Sequence, residues 1–400
     1  MKCFNYLFVF SLLFVLLSCE NEQNLNEKAK VCNAEYVSSN SSDDSMFKIT
    51  ESKALEYANI VFNRSKTRAM LDITLDYVVE QPISRATMPD TLAYIFNRGE
   101  NEGFVVISAD SRINPLLAFS EKGHFDNNNE VVNDVFISKL GAYIDENADN
   151  DSVAFSEDTF ESCYAVLTNM SGDWHQRYPW NSVVTEFYPS CLVGCVPLTT
   201  AMIMTHCKET LTYHGVNFPL ARMGAGIDRR VGGRIVGGSG GNVLPTITSM
   251  PYDSAVNYAA QLLYFIGIDL NTTYGTTASS ASSNNALVLL RNLGFTLRHS
   301  SFVPFDIDDV SNYIQNGNII YAKGQNALAN DRHAWVIDGM GYCVDPETNE
   351  ITDRYFNCVW GWGGNYDGFY FGDLFYPIIN ETLFIDVEYF AIDKFDFTVI

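Results

Sequence analysis

GCVPLTTAMIM, residues 194–204, sets one cysteine between a glycine and an apolar run that reads as a buried helix. Pro197 fits the first turn of a helix, where its missing N–H is not needed. The spacing therefore predicts a helix that begins within a residue or two of Cys195 and runs to 207. Gly194 lets the backbone turn tightly and leaves the approach to sulfur open. A thiol is a useful nucleophile only as thiolate, and a helix N-terminus and a nearby imidazolium both favour that form. Cys195 has the first by position; the alternative is a packed structural thiol, the common fate of a free cysteine.

An imidazole must come from one of six histidines. His333 opens the apolar stretch HAWVIDG directly after the polar NDR, which places its ring at a strand mouth, 138 residues after Cys195. A cysteine followed by a histidine about 130–150 residues downstream is the chain order of papain-type proteases. On the C-terminal side, GNIIYAKG, HAWVIDGM, RYFNCVWGW and GFYFGDLF read as strands, and SAVNYAAQLLYFIG (254–267) reads as a helix. Helices followed by a block of antiparallel strands predict an α+β domain with a helix lobe and a sheet lobe. VGGRIVGGSGGN (231–242) lacks the Lys-Ser/Thr ending of a phosphate loop and reads as a surface loop.

Upstream, ALEYANIVFNR (54–64) has helical spacing, and TLAYIFNR and GFVVISAD read as a hairpin around the turn GENE. IDENADNDSVAFSED (144–158) is acidic and reads as an exposed linker. A calcium loop starting at Asp145 fails, because its sixth position is Asn150 and its twelfth Ser156. The expected layout is a signal peptide (1–18), a tether (19–45), a small α+β domain (46–150) and a larger domain (151–400).

Four hundred residues, 47% hydrophobic, can bury two cores. The formal charge of -23 argues against a nucleic-acid partner, which needs a basic face. Lys2 followed by the apolar Phe4–Leu17 stretch is too short to span a bilayer and predicts an export signal. It ends in LLSC, which resembles the lipobox of bacterial lipoproteins, so Cys19 is expected to carry lipid; the alternative is an ordinary signal peptide cut nearby. The expected location is the membrane, through a lipid anchor, or the cell surface, with release after processing left open. Setting aside Cys3 and Cys19, seven cysteines remain, an odd number that leaves one thiol unpaired if the others pair.

These residues together resemble the streptopain family of papain-like cysteine proteases, over nearly the whole chain after the tether. GCVPLTTAMIM resembles the nucleophile segment, RHAWVIDG the histidine segment, VWGWGGNYDGFY (359–370) a Trp-Gly-rich hairpin, and WHQRYPWN (174–181) the segment of the oxyanion-hole glutamine. GFVVISADSRINPLLAFSEKGHF (103–125) is similar to the family's inhibitory propeptide.

The resemblance implies a papain-like two-lobed peptidase acting on polypeptides, with its own propeptide blocking the cleft or displacing His333. Cys195 and His333 would be catalytic, Gln176 would donate to the oxyanion, and Trp360 would pack over the imidazole. Ser279, Ser280 and Ser282, in TYGTTASSASSNNA (273–286), would bind substrate backbone. No metal or organic cofactor is expected. Family members prefer a bulky apolar residue one place before the cleaved residue, and Val153 and Phe155 offer such sites for self-processing, whereas no Lys or Arg lies between Lys139 and Arg177.

There are departures. The family commonly carries Asn immediately before the first tryptophan of the hairpin, to orient the imidazole; here the position is Val359. Asn357 has the same strand parity and is the expected substitute, with Asp338 second. Pro197 and Met202 also stand where relatives tend to have small or amide residues. These departures support an alternative class of function, a non-catalytic surface protein that uses the protease scaffold for adhesion or peptide binding.

Overall fold

Thr91–Arg98 (β2) and Phe104–Ser108 (β3) pair antiparallel around residues 99–103, as the sequence predicts. Ile73–Glu80 (β1) adds to β2, and Leu116–Ser120 (β4) adds to β3, giving a four-stranded antiparallel sheet. The helix Glu51–Arg64 (α1) lies on this sheet through Ala54, Ala58, Val61 and Phe62, the i, i+4, i+7, i+8 stripe that the 54–64 pattern predicts. This computed structural model describes residues 46–64, 72–80, 91–125, 134–147, 163–167, 170, 173–227, 250–327, 331–344, 348, 351–377 and 383–393. The expected signal peptide, the tether with Cys19, and the 231–242 loop lie outside the described residues, as does most of the expected linker. The linker reading began too early: Asp134–Glu146 (α2) is helical and buries Ile144.

The larger domain divides as expected into helices and sheet. Cys195–Cys207 (α4) follows a short helix, Ser182–Phe187 (α3). Every residue of α4 after Cys195 is buried, which explains why its sequence is apolar all round instead of amphipathic. Leu220–Ile227 (α5), Tyr252–Asp269 (α6) and Ser283–Asn292 (α7) pack with it, beside a small hairpin of Leu211–Tyr213 (β6) and Val216–Phe218 (β7). Ile307–Gln315 (α8) starts on Asp306, whose carboxylate accepts from Asp309 N at 2.9 Å.

The sheet lobe contains Cys163–Leu167 (β5), Val303–Pro304 (β8), Asn318–Asn326 (β9), Arg332–Val344 (β10), Ile351–Val359 (β11), Gly368–Phe371 (β12) and Phe384–Asp393 (β13). The path β12-β11-β10-β9-β13-β8 is continued at β12 by β4, so the two domains share one eleven-stranded sheet, with β5 pairing beside β10. Gly368 makes this join possible, because a Cβ there would lie 2.0 Å from Phe119 O.

Two cores flank β10. Trp335 and Ile337 belong to a core that extends into the N-terminal domain, while Ala334 and Val336 belong to the core under α4. Strand alternation therefore assigns successive residues to opposite faces. Cys343 is disulfide-bonded and stands opposite Cys163 in the β5–β10 ladder; Cys191, Cys195, Cys207 and Cys358 form no disulfide. Among the described residues, no helix is long and apolar enough to cross a membrane.

Candidate active site

Cys195 is the first residue of α4, behind Gly194 at φ +94°. Glycine is required here by its backbone angle and by space, since a Cβ would come within 3.1 Å of Ser279 O. Thr199 Oγ1 donates to Ala334 O at 2.9 Å, which ties the helix to β10. Burial pushes the Cys195 thiol up, and the N–H groups of Ala334, Val196 and Cys195 itself only partly offset this.

His333 lines the same cleft, of about 620 Å³, but its ring is engaged elsewhere. Its Nε2 donates to the Trp360 carbonyl oxygen at 2.9 Å. The imidazole centroid lies 4.8 Å from Trp362, 5.6 Å from Phe384 and 6.3 Å from both Trp335 and Trp360. Burial in this aromatic box pushes the imidazole down to about 4, with the Trp360 hydrogen bond opposing it. Among the described residues no hydrogen bond joins Cys195 to His333, and with these shifts both groups are neutral near neutral pH.

Gln176 is half-buried, and its carbonyl accepts from Val193 N at 3.0 Å, two residues before Cys195. On its other side the same segment is bound to the Trp-Gly hairpin: Gly363 N donates to Trp174 O at 2.8 Å and His175 bridges Trp362. Residues 174–176 thus adjoin both the Cys195 segment and the hairpin that holds His333.

Other expected residues are placed differently. Ser280 and Ser282 are exposed on the cleft wall, but Ser279 is buried, its Oγ donating to Leu192 O at 2.7 Å and accepting from Gly275 N at 3.0 Å. That hydroxyl braces the loop that leads into Cys195. Asn357 does not orient His333: its Nδ2 donates to Asp338 Oδ1, and Asp338 Oδ2 accepts from Met170 N at 2.8 Å. Asp338 lies five residues along β10 from His333, about 16 Å at strand spacing, which removes both residues from reach. Val359 is buried in the core under α4, and the Trp360 carbonyl is the group that holds the ring. Trp360 contributes its backbone, with its Nε1 donating to Tyr366 O at 2.9 Å, while Trp362 makes the closest ring contact.

Sequence reasoning missed Trp335 and Phe384. Trp335 was legible, since it stands two residues from His333 in a strand; Phe384 comes from β13, and nothing local ties it to the site.

The N-terminal domain grips the Trp-Gly hairpin without lining the cleft. Lys122 Nζ donates to Gly363 O, Tyr366 N donates to Lys122 O at 3.0 Å, and Ser120 Oγ donates to Asp367 O at 2.7 Å. Further along, Lys139 Nζ and Tyr143 Oη meet the two oxygens of Asp373 at 2.5 and 2.9 Å, and Phe136 stacks on Tyr376 at 4.5 Å.

Residues 174–370 match the peptidase C10 family, and residues 47–143 match the Spi protease inhibitor family. Streptopain of Streptococcus pyogenes is 24% identical over 342 residues, 78% of this chain and 81% of that protein. The thiol protease/hemagglutinin PrtT of Porphyromonas gingivalis is 26% identical over 180 residues, 40% of this chain and 20% of that protein. A solved fragment of Prevotella intermedia prointerpain A superposes with a TM-score of 0.41 at 16% identity, covering 79% of this chain and 97% of that one.

Proposed function

This chain is a cysteine peptidase whose residues 174–370 match the peptidase C10 family, and on that premise we propose that it is an exported zymogen with Cys195 and His333 as its dyad. In the active form the Cys195 thiolate attacks a peptide carbonyl, and the oxyanion takes N–H groups from the Gln176 side chain and the Cys195 backbone. Each such donor is worth about 3 kcal/mol. The His333 imidazolium gives its proton to the leaving amine, which departs to leave a thioester. Water, deprotonated by the now neutral imidazole, hydrolyses the thioester and regenerates the thiol.

The observation that carries the zymogen reading is the seat of His333. It shares a face of β10 with Trp335, while Cys195 packs against the core of Ala334 and Val336 on the face opposite. The hairpin that boxes His333 is clamped by residues 120–122 of an inhibitor-like domain. Releasing that domain frees the hairpin, and the imidazole turns to sulfur.

The test is to express residues 20–400 as wild type and Cys195→Ala and add a thiol-directed suicide substrate before and after proteolytic removal of the first domain. Labelling that appears after removal, and only in the wild type, supports the reading. Equal labelling of the intact chain overturns the zymogen. Loss of the N-terminal segment with lipid on Cys19 is read by mass spectrometry of the full chain expressed in an exporting bacterium; a Cys19→Ser chain that stays on membranes overturns the anchor.

A further inference from the structure

The cleft beside Cys195 has a polar and charged wall. Among its described lining residues, Val196 is the only apolar side chain larger than alanine. The opposite wall carries Lys323, Asp386 and Glu388, with Asp331 and Arg332 beside His333. Register explains why these charges meet the thiol. Lys323 is the ladder partner of Ala334 on one side and of Glu388 on the other, so both stand on the face of the sheet that Cys195 packs against.

The charges are not equally available. The Lys323 ammonium is taken twice, by Glu388 Oε2 at 2.9 Å and by the face of Phe302, 4.1 Å from the ring centroid. Glu388 keeps its second oxygen, and its side chain is 44% exposed. Asp386 is exposed, at φ +47° in the bulge between Ile385 and Glu388, a turn that brings a second carboxylate to the cleft two residues from the first. An apolar side chain entering here would desolvate an ion pair and gain little contact. A side chain with its own cation finds open acceptors.

We propose that this cleft selects a peptide carrying Lys or Arg at one position beside the scissile bond, with Glu388 and Asp386 as its specificity determinants. The proposal rests on the peptidase reading above. It also has a consequence for activation: the stretch between Lys139 and Arg177 holds no basic residue, so the enzyme is a poor processor of its own linker, and Val153 and Phe155 await a protease of apolar preference.

The experiment uses the processed wild type on a peptide library varied at each position around the cleaved bond. Lys and Arg at one position should raise kcat/KM by about tenfold over Leu, Val or Phe. Glu388→Gln and Asp386→Asn should each lose most of that preference through a raised KM for the Lys and Arg peptides. Independently, traces of processed enzyme should cut the Cys195→Ala chain in its linker faster when it carries Val153→Lys. An apolar or charge-blind preference, or variants that keep the Lys/Arg ratio, overturns the proposal alone. A library left intact by the wild type overturns the peptidase reading with it.

Discussion

Cys195 and His333 line one cleft, yet their side chains belong to opposite faces of the sheet that β10 runs through. The intact chain should therefore alkylate slowly with iodoacetamide. Because burial holds the thiol above its ordinary range, the rate should keep climbing with pH beyond that range, whereas the processed enzyme should level off near neutrality as a thiolate–imidazolium pair. Trp362→Ala opens the box around His333 and should speed labelling of the uncut chain by roughly tenfold at neutral pH. A labelling rate unaffected by Trp362→Ala would place the restraint elsewhere.

The box should also make the intact chain acid-labile. His333 is buried neutral with its folded value near 4, below the ordinary 6.5, so its contribution is complete above pH 6.5 and is lost as pH falls toward 4. At about 1.4 kcal/mol per unit, that window costs about 3 kcal/mol. Urea titrations of the wild type and His333→Phe at several pH values should diverge across it, with the variant flatter.

Asp373 joins the domains through Lys139 and Tyr143, and its side chain is 36% exposed, so solvent weakens the pair. Asp373→Asn should loosen the N-terminal domain by about 1 kcal/mol, roughly fivefold in the affinity of the separated domain for the processed enzyme. Inhibition titrations measure this directly.

Val359 faces the core on the Cys195 side, where an amide could reach an imidazole that has turned to sulfur. Val359→Asn should raise single-turnover acylation of the processed enzyme several-fold, while destabilising the intact chain by about 1–3 kcal/mol through an unpartnered buried amide. Asn357→Ala should leave acylation unchanged and cost about 1–3 kcal/mol, because it removes one hydrogen bond from the buried Asp338.

Much of this architecture was legible in local pattern. The apolar run after Cys195, the turn around 99–102 and the C-terminal strands each carry their period in neighbouring residues, and they form where expected. The Cys195–His333 order and the segment of Gln176 were equally readable. Asn357 misled because parity in a strand says which face a residue takes and nothing about distance along it; a bulge between Ile337 and Gly339 then sets its partner. The β4–β12 join was invisible because it is made of backbone, and a run such as LLAFS bears no mark of its neighbour.

That join separates two events that activation schemes tend to merge. The covalent link between the domains runs through residues 148–162, but the ladder from Ala118–Ser120 to Gly368–Tyr370 and the Lys122 grip on Gly363 do not depend on it. A cut linker leaves a nicked, still silent complex, whose awakening is paced by dissociation. Activity should then trail cleavage by a first-order lag set by dissociation, and the final activity per molecule should rise on dilution, since rebinding along an open strand edge slows as the fragments thin out. Crowded at its site of synthesis, the enzyme would stay quiet after being cut and become active as it spreads.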